Sequence, residues 1–265
     1  MIPVLDLDAL PNDILSGAVA SPDRLSSVAG ECVQRRFHDR YLAPEPHGET
    51  DALLEEIGGR IVDMDLRLFH GTRTPWRGEI LSHGLMPIDF LSWTSRALSE
   101  LRRHVEMTDQ VHAWILAACA DRRRQSHREG ISLTTSRQEI RSGGFDELLG
   151  HFGGEFFRNL ISDLAPELLP SLREIGEPLI VTVRLPIRQI GVADREAIAA
   201  MILSRILNDS FDDVLLRYRS FDHHHFSQIP PDRVESICEP SVMISGTLSA
   251  GNGPPDLRAA ARRGG

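Results

Sequence analysis

Between Gly176 and Pro186 lies a stretch that suits little other than a β-strand: Leu179-Ile180-Val181-Thr182-Val183-Arg184-Leu185. β-Branched side chains pack well on a pleated surface, and Gly and Pro punctuate its ends. Shorter strand signals accompany it. Leu66 and Leu68 flank Arg67 within Met64–Phe69, and Gly130 opens a second run from Ile131 to Ser136. Asp213–Tyr218, Asp222–Phe226 and Val234–Cys238 complete the set. Helical patterns separate them. Ser21-Pro22-Asp23 starts a helix with Leu25, Val28 and Cys32 on one face, and Asp51–Ile57 forms another, stopped by Gly58-Gly59. Glu79–Leu81 is a short helix closed by His83-Gly84, with Gly84 as its cap. Further helical stretches are Ser99–Cys119 in one or two pieces, much of 137–175, and Glu196–Leu207. Short strands separated by helices and long loops define an α+β class.

The chain has 265 residues, enough for one domain with an appendage. We divide it into an N-terminal helical segment (1–60), a central domain (61–248) and a tail (249–265) of mostly Gly, Ala, Pro and Arg that is expected to be disordered. No apolar run is long enough to span a bilayer, so no membrane partner is expected. The first basic residue is Arg24, and Asp6 and Asp8 precede it, so a secretory leader is not expected. The expected address is the cytoplasm, or export without a cleavable signal. Cys32, Cys119 and Cys238 are too widely spaced for a metal motif and read as reduced thiols. The net charge of −9 argues against gripping a nucleic-acid backbone. Arg122-Arg123-Arg124 with Arg128 is the local exception, and cations at a helix C-terminus account for it. Every basic residue other than His is Arg; lysine is absent. Arginine-rich codon usage accounts for that bias, and a chain without lysine also offers no side-chain amine to a ubiquitin-like tag.

The chemistry concentrates in Leu68-Phe69-His70-Gly71-Thr72, followed by Ile80-Leu81-Ser82-His83-Gly84-Leu85-Met86-Pro87. Gly71 leaves room for a flat ring to approach the backbone. His70 and Thr72 alternate along a strand and share a face. A second stretch, Gly130-Ile131-Ser132-Leu133-Thr134-Thr135-Ser136, ends in hydroxyls; Leu91-Ser92-Trp93-Thr94-Ser95 competes for the same role. A third is Ile229-Pro230-Pro231-Asp232-Arg233-Val234-Glu235-Ser236-Ile237, a turn leading into a strand.

In this order the three stretches resemble the ADP-ribosyltransferase superfamily, over residues 64–240. The resemblance implies a split β-sandwich with helices, with NAD bound as a substrate in a cleft between two small sheets. It assigns cofactor contacts to His70, Gly71, Thr72 and Arg73, with Thr134, Thr135 and Ser136 bracing the site. Most transferases of this kind carry a glutamate on the strand before the closing turn. Here that segment reads Phe221-Asp222-His223-His224-His225-Phe226. Asp222, His223 and Glu155 are the candidate replacements, alongside His70. No metal is expected: adjacent strand residues alternate faces, so at most two of the three histidines could share a site, and an exposed polar strand is the expectation.

The implied activity is mono-ADP-ribosyl transfer, with loss of nicotinamide and capture of ribose C1 by an unidentified acceptor, a protein rather than nucleic acid, as in a bacterial toxin or effector. Two alternatives share the fold. One is an RNA 2′-phosphotransferase, for which Arg67 and Arg73 would be the phosphate ligands. The other is a nucleotide-binding module without catalysis.

Overall fold

The structure, a computed structural model, describes residues 2–7, 27, 48–123, 130–137, 140, 149–210 and 222–240. Its strands are β1 (Val4–Leu5), β2 (Asp65–Thr74), β3 (Ile131–Thr134), β4 (Glu177–Pro186), β5 (Asp222–His225) and β6 (Val234–Cys238). Its helices are α1 (Gly48–Ile61), α2 (Arg77–His83), α3 (Phe90–Leu101), α4 (Asp109–Arg123), α5 (Gly154–Leu164), α6 (Leu169–Leu172) and α7 (Val192–Ser210). The strands form one six-stranded sheet in the order β5-β3-β2-β4-β6, with β1 parallel beside the start of β2. All other pairings are antiparallel, so the class is α+β.

β2 and β4 are the backbone of the sheet. They pair over their full length, from Asp65↔Pro186 to Thr74↔Glu177. The apolar run that announces β4 is explained by its central place: Leu179, Ile180, Val181 and Val183 are all fully buried. Each such side chain contributes roughly 1.5–3 kcal/mol by leaving water. On one face Leu66, Leu68, Leu133, Val181 and Val183 pack with Leu53 and Ile57 of α1 and Ile198 and Ile202 of α7. On the other face Phe69 and Ile180 meet Ile140, with Leu149 and Cys238 against them. A second core lies in the helices, where Phe90, Leu98, Ile115, Phe152, Phe157 and Leu172 converge. Trp76 and Ile175 join that cluster just beyond the end of β2 and just before β4.

Several sequence expectations change. β2 does not stop at His70-Gly71-Thr72 but runs to Thr74, because β4 supplies a partner for every residue. α1 runs through Gly58-Gly59: a Cβ at either would meet nothing within 4 Å, and burial of Leu53, Ile57 and Ile61 holds the helix together across them. The division at residue 60 does not separate two bodies. β1 and α1 lend Leu5, Leu7 and Leu53 to the core of the sheet, and the N-terminal segment includes a strand. Leu91-Ser92-Trp93-Thr94-Ser95 is helical, inside α3, which removes it as a strand candidate. The β5 histidines are not uniformly exposed: His223 is buried, His225 half-buried and His224 exposed. Cys119 is buried and Cys238 half-buried, both free thiols. Asp213–Tyr218, the helix at Ser21-Pro22-Asp23, Cys32, Arg124, Arg128 and the tail lie outside the described residues. Among the described residues no helix is long and apolar enough to cross a membrane.

Candidate functional site

The sheet narrows where β2 meets β3. The two strands share one register pair, Phe69↔Thr134. One residue on, the imidazole of His70 enters the gap, and its Nδ1–H donates to the carbonyl oxygen of Ser132 at 2.8 Å. A side chain thus takes a carbonyl that a continued ladder would give to a backbone N–H. A carbonyl only accepts, so this bond selects the tautomer and leaves Nε2 as an acceptor. Burial pushes the His70 pKa below its ordinary value, an effect the Ser132 bond partly opposes. His70 is therefore a neutral imidazole with a lone pair directed away from its anchor, suited to accept a hydrogen bond from a hydroxyl.

Thr72 follows two residues along β2, half-buried on the same face. Gly71 faces the other way, and its open side is already filled: a Cβ there would lie 3.2 Å from Cγ2 of Ile140. The room expected for a flat ring is occupied on that side by the chain's own apolar groups. Arg73 donates through Nε to the carbonyl of Ile175 at 3.1 Å, and burial lowers its pKa. In the expected bracing segment, Thr134 Oγ1 accepts the backbone N–H of Ser136 at 3.4 Å, so these two hold each other in the turn after β3. Thr135 turns to α7, with its Oγ1 3.9 Å from Sδ of Met201. All three are buried.

The three residues expected to stand in for a glutamate do not come together. Glu155 is exposed in the first turn of α5, whose buried side chains Phe157, Leu160 and Ile161 belong to the helical core. Asp222 pairs in register with Thr134, its side chain being outside the described set. His223 pairs with Leu133, which neighbours His70 across the β2–β3 joint. His70 and His223 therefore share a face, two strand spacings or roughly 10 Å apart. Among the described residues, Asp194 brings a carboxylate to that face. Its Oδ2 accepts Nδ1–H of His223 at 2.7 Å from the first turn of α7. Sequence reasoning missed Asp194 because nothing local marks it; the residues are 29 apart and meet only when α7 lies over β5. His225, one further along the same face, stays neutral because burial lowers its pKa, assisted by the neighbouring His223. Among the described residues no group of three or more His, Cys, Asp or Glu side chains could hold a metal ion.

The segment after α2 and the third sequence stretch meet each other through hydrogen bonds. Leu85 and Ile229 exchange both N–H···O bonds, each 2.9 Å, and Gln228 donates to the carbonyl of His83 at 2.8 Å. Gly84 turns the chain at φ 77°, and a Cβ there would sit 1.9 Å from the Ile229 carbonyl oxygen. Arg233, at the closing turn, donates to the buried carboxylate of Asp65 at 2.9 Å. Arg67 is held by Glu235 at 2.6 Å and Asp6 at 2.7 Å, and these bonds raise its pKa further. Comparison with protein-family models, characterised proteins and solved structures found no match.

Proposed function

We propose that the chain is an NAD-dependent mono-ADP-ribosyltransferase of the split β-sandwich kind. One observation carries the reading. The three sequence stretches that resemble the family are far apart in the chain, yet they meet: His70 bonds Ser132 of the second stretch, and Leu85 bonds Ile229 of the third. The described strands form one continuous sheet and not two small ones; the single register pair between β2 and β3 is the narrow place in it that supports a split-sandwich reading. In this reading a hydroxyl of the adenosine-side ribose donates to His70 Nε2, and Thr72 supports the dinucleotide on the same face. Catalysis is positioning plus stabilisation of positive charge as nicotinamide leaves. A protein acceptor fits the net charge of −9 better than nucleic acid does. Arg67 is committed to Glu235 and Asp6, which removes it as a phosphate ligand and disfavours the 2′-phosphotransferase alternative.

The experiment is nicotinamide release from NAD, measured with wild type, His70→Ala, Asp222→Asn and Glu155→Gln. His70→Ala lowers release roughly 100-fold or more with the fold retained. Glu155→Gln, out on the helical core, leaves it unchanged. The exposed position of Glu155 favours one competing reading, a nucleotide-binding module without turnover. Calorimetric binding of NAD without nicotinamide release would select that module; absence of both would end the family reading.

A further inference from the structure

Strand alternation limits the β5 histidines to two on a face, and the two that share one are His223 and His225. Their rings lie 5.8 Å apart, tilted by 49°. Each ring has one nitrogen against an oxygen. Asp194 Oδ2 is 2.7 Å from Nδ1 of His223, and Ser227 Oγ is 2.8 Å from Nε2 of His225. The register partners on β3, Leu133 and Ile131, are buried and apolar, so neither competes for the imidazoles. We propose that His223 and His225 bind a divalent transition-metal ion of the zinc class at the β5 end of the sheet.

A histidine that ligates a metal gives the ion the lone pair of one nitrogen and donates its other N–H to an oxygen, which fixes the tautomer and aims the ring. A carboxylate only accepts, so His223 carries its proton on Nδ1 and its lone pair on Nε2. In the metal-binding tautomer the Ser227 hydroxyl accepts Nε2–H of His225, which puts that ring's lone pair on Nδ1. Two imidazoles on one tetrahedral ion, at metal–nitrogen distances of about 2.0–2.1 Å, have ring centres roughly 5 Å apart. The observed spacing of 5.8 Å comes to that value by a small rotation of the half-buried His225 ring. Burial, assisted by His223, lowers the His225 pKa, so protons do not compete for this ring at neutral pH. Imidazole ligands suit Zn²⁺, Cu²⁺ and Ni²⁺, whereas Mg²⁺ and Ca²⁺ take oxygen. Among the described residues no set of three or more His, Cys, Asp or Glu closes around an ion. Water therefore fills the remaining positions, and the ion exchanges with solvent on the side where Phe226 and Ser227 are exposed.

The test titrates Zn²⁺ into the full chain after treatment with a chelator, with calorimetry for affinity and the melting temperature as a second readout. Wild type is expected to bind a single ion and to melt higher as Zn²⁺ is added, because the ion favours the folded state. His223→Gln and His225→Gln each lower the affinity roughly tenfold or more. His224→Gln leaves it unchanged, because that ring is exposed on the opposite face. Asp194→Asn, a positioning change that acts through His223, lowers the affinity about tenfold. His223 is buried, so its replacement can disturb the fold; electron paramagnetic resonance of Cu²⁺ on wild type needs no variant and is expected to show two imidazole nitrogens. No Zn²⁺ binding by wild type, undiminished affinity in His225→Gln, or a Cu²⁺ spectrum with fewer than two nitrogens overturns the proposal. None of these outcomes bears on nicotinamide release, so the metal site and the transfer reading stand or fall separately.

Discussion

His70 combines two demands on one side chain. Its Nδ1 is tied to Ser132, and burial keeps the ring neutral. Neutrality has a measurable consequence for stability. The pKa values of His70 and His225 are both below their ordinary 6.5 in the folded chain. Above that value neither state is protonated, and the two rings impose no penalty. As pH falls through it, the unfolded chain takes up protons that the folded chain resists, so folding stability declines. Denaturant unfolding at pH 7.5 and pH 5.5 is expected to show a loss on acidification, and the double variant His70→Gln/His225→Gln is expected to lose less. Equal acid sensitivity in the two proteins would assign the decline to other groups. The same burial that disfavours protonation makes His70 a dependable acceptor at neutral pH.

At the scale of elements, two joints hold the site together. In the first, α7 is pinned to β5 by Asp194 and His223. Asp194→Ala removes the acceptor from a buried imidazole N–H, and a loss of about 1–3 kcal/mol is expected. Asp194→Asn keeps an acceptor oxygen and is expected to cost less. Chemical denaturation of the two variants decides it: identical midpoints for wild type and Asp194→Ala would mean the bond contributes nothing. The second joint is Gly84, where the loop after α2 meets Ile229. Its φ of 77° and the 1.9 Å approach leave no place for a methyl group. Gly84→Ala is expected to destabilise by about 2 kcal/mol or more, and to shift the loop carrying Met86 and Pro87. A melting temperature equal to that of wild type would show that the loop moves freely and is no fixed part of the site.

The whole molecule rests on one long strand pair between two cores. β2 and β4 carry the sheet core, and the chain leaves β2 into the helical core and returns from it into β4. His70 lies within this pair, not at a free strand end: β4 pairs with it in register, while β3 meets β2 at the one register pair beside it. The last 17 residues, 249–265, are rich in Gly, Ala, Pro and Arg and offer little to either core. Ending the chain at Leu248 is expected to leave the melting temperature within about one or two degrees. A larger drop, read by calorimetry, would show that the tail docks.

Much of the element content was legible from residues alone because its signals are local. The β-branched run at Leu179–Leu185 is a strand, Val234–Cys238 is a strand over its expected bounds, and Gly84 closes a helix with the positive φ that glycine tolerates. Alternation along β2 also places His70 and Thr72 on one face. Long-range pairing was not legible. The sequence does not encode locally that β4 would extend β2 past His70, that Ile140 would fill the space beside Gly71, or that α1 would ride over two glycines. Nor could it nominate Asp194, an ordinary first-turn acid until α7 settles on β5, or distinguish buried His223 from exposed His224. Propensity and capping depend on neighbours within a few residues; burial and hydrogen-bond partners depend on which distant segments arrive. The local terms determined which elements form, and only tertiary packing decided which polar groups meet.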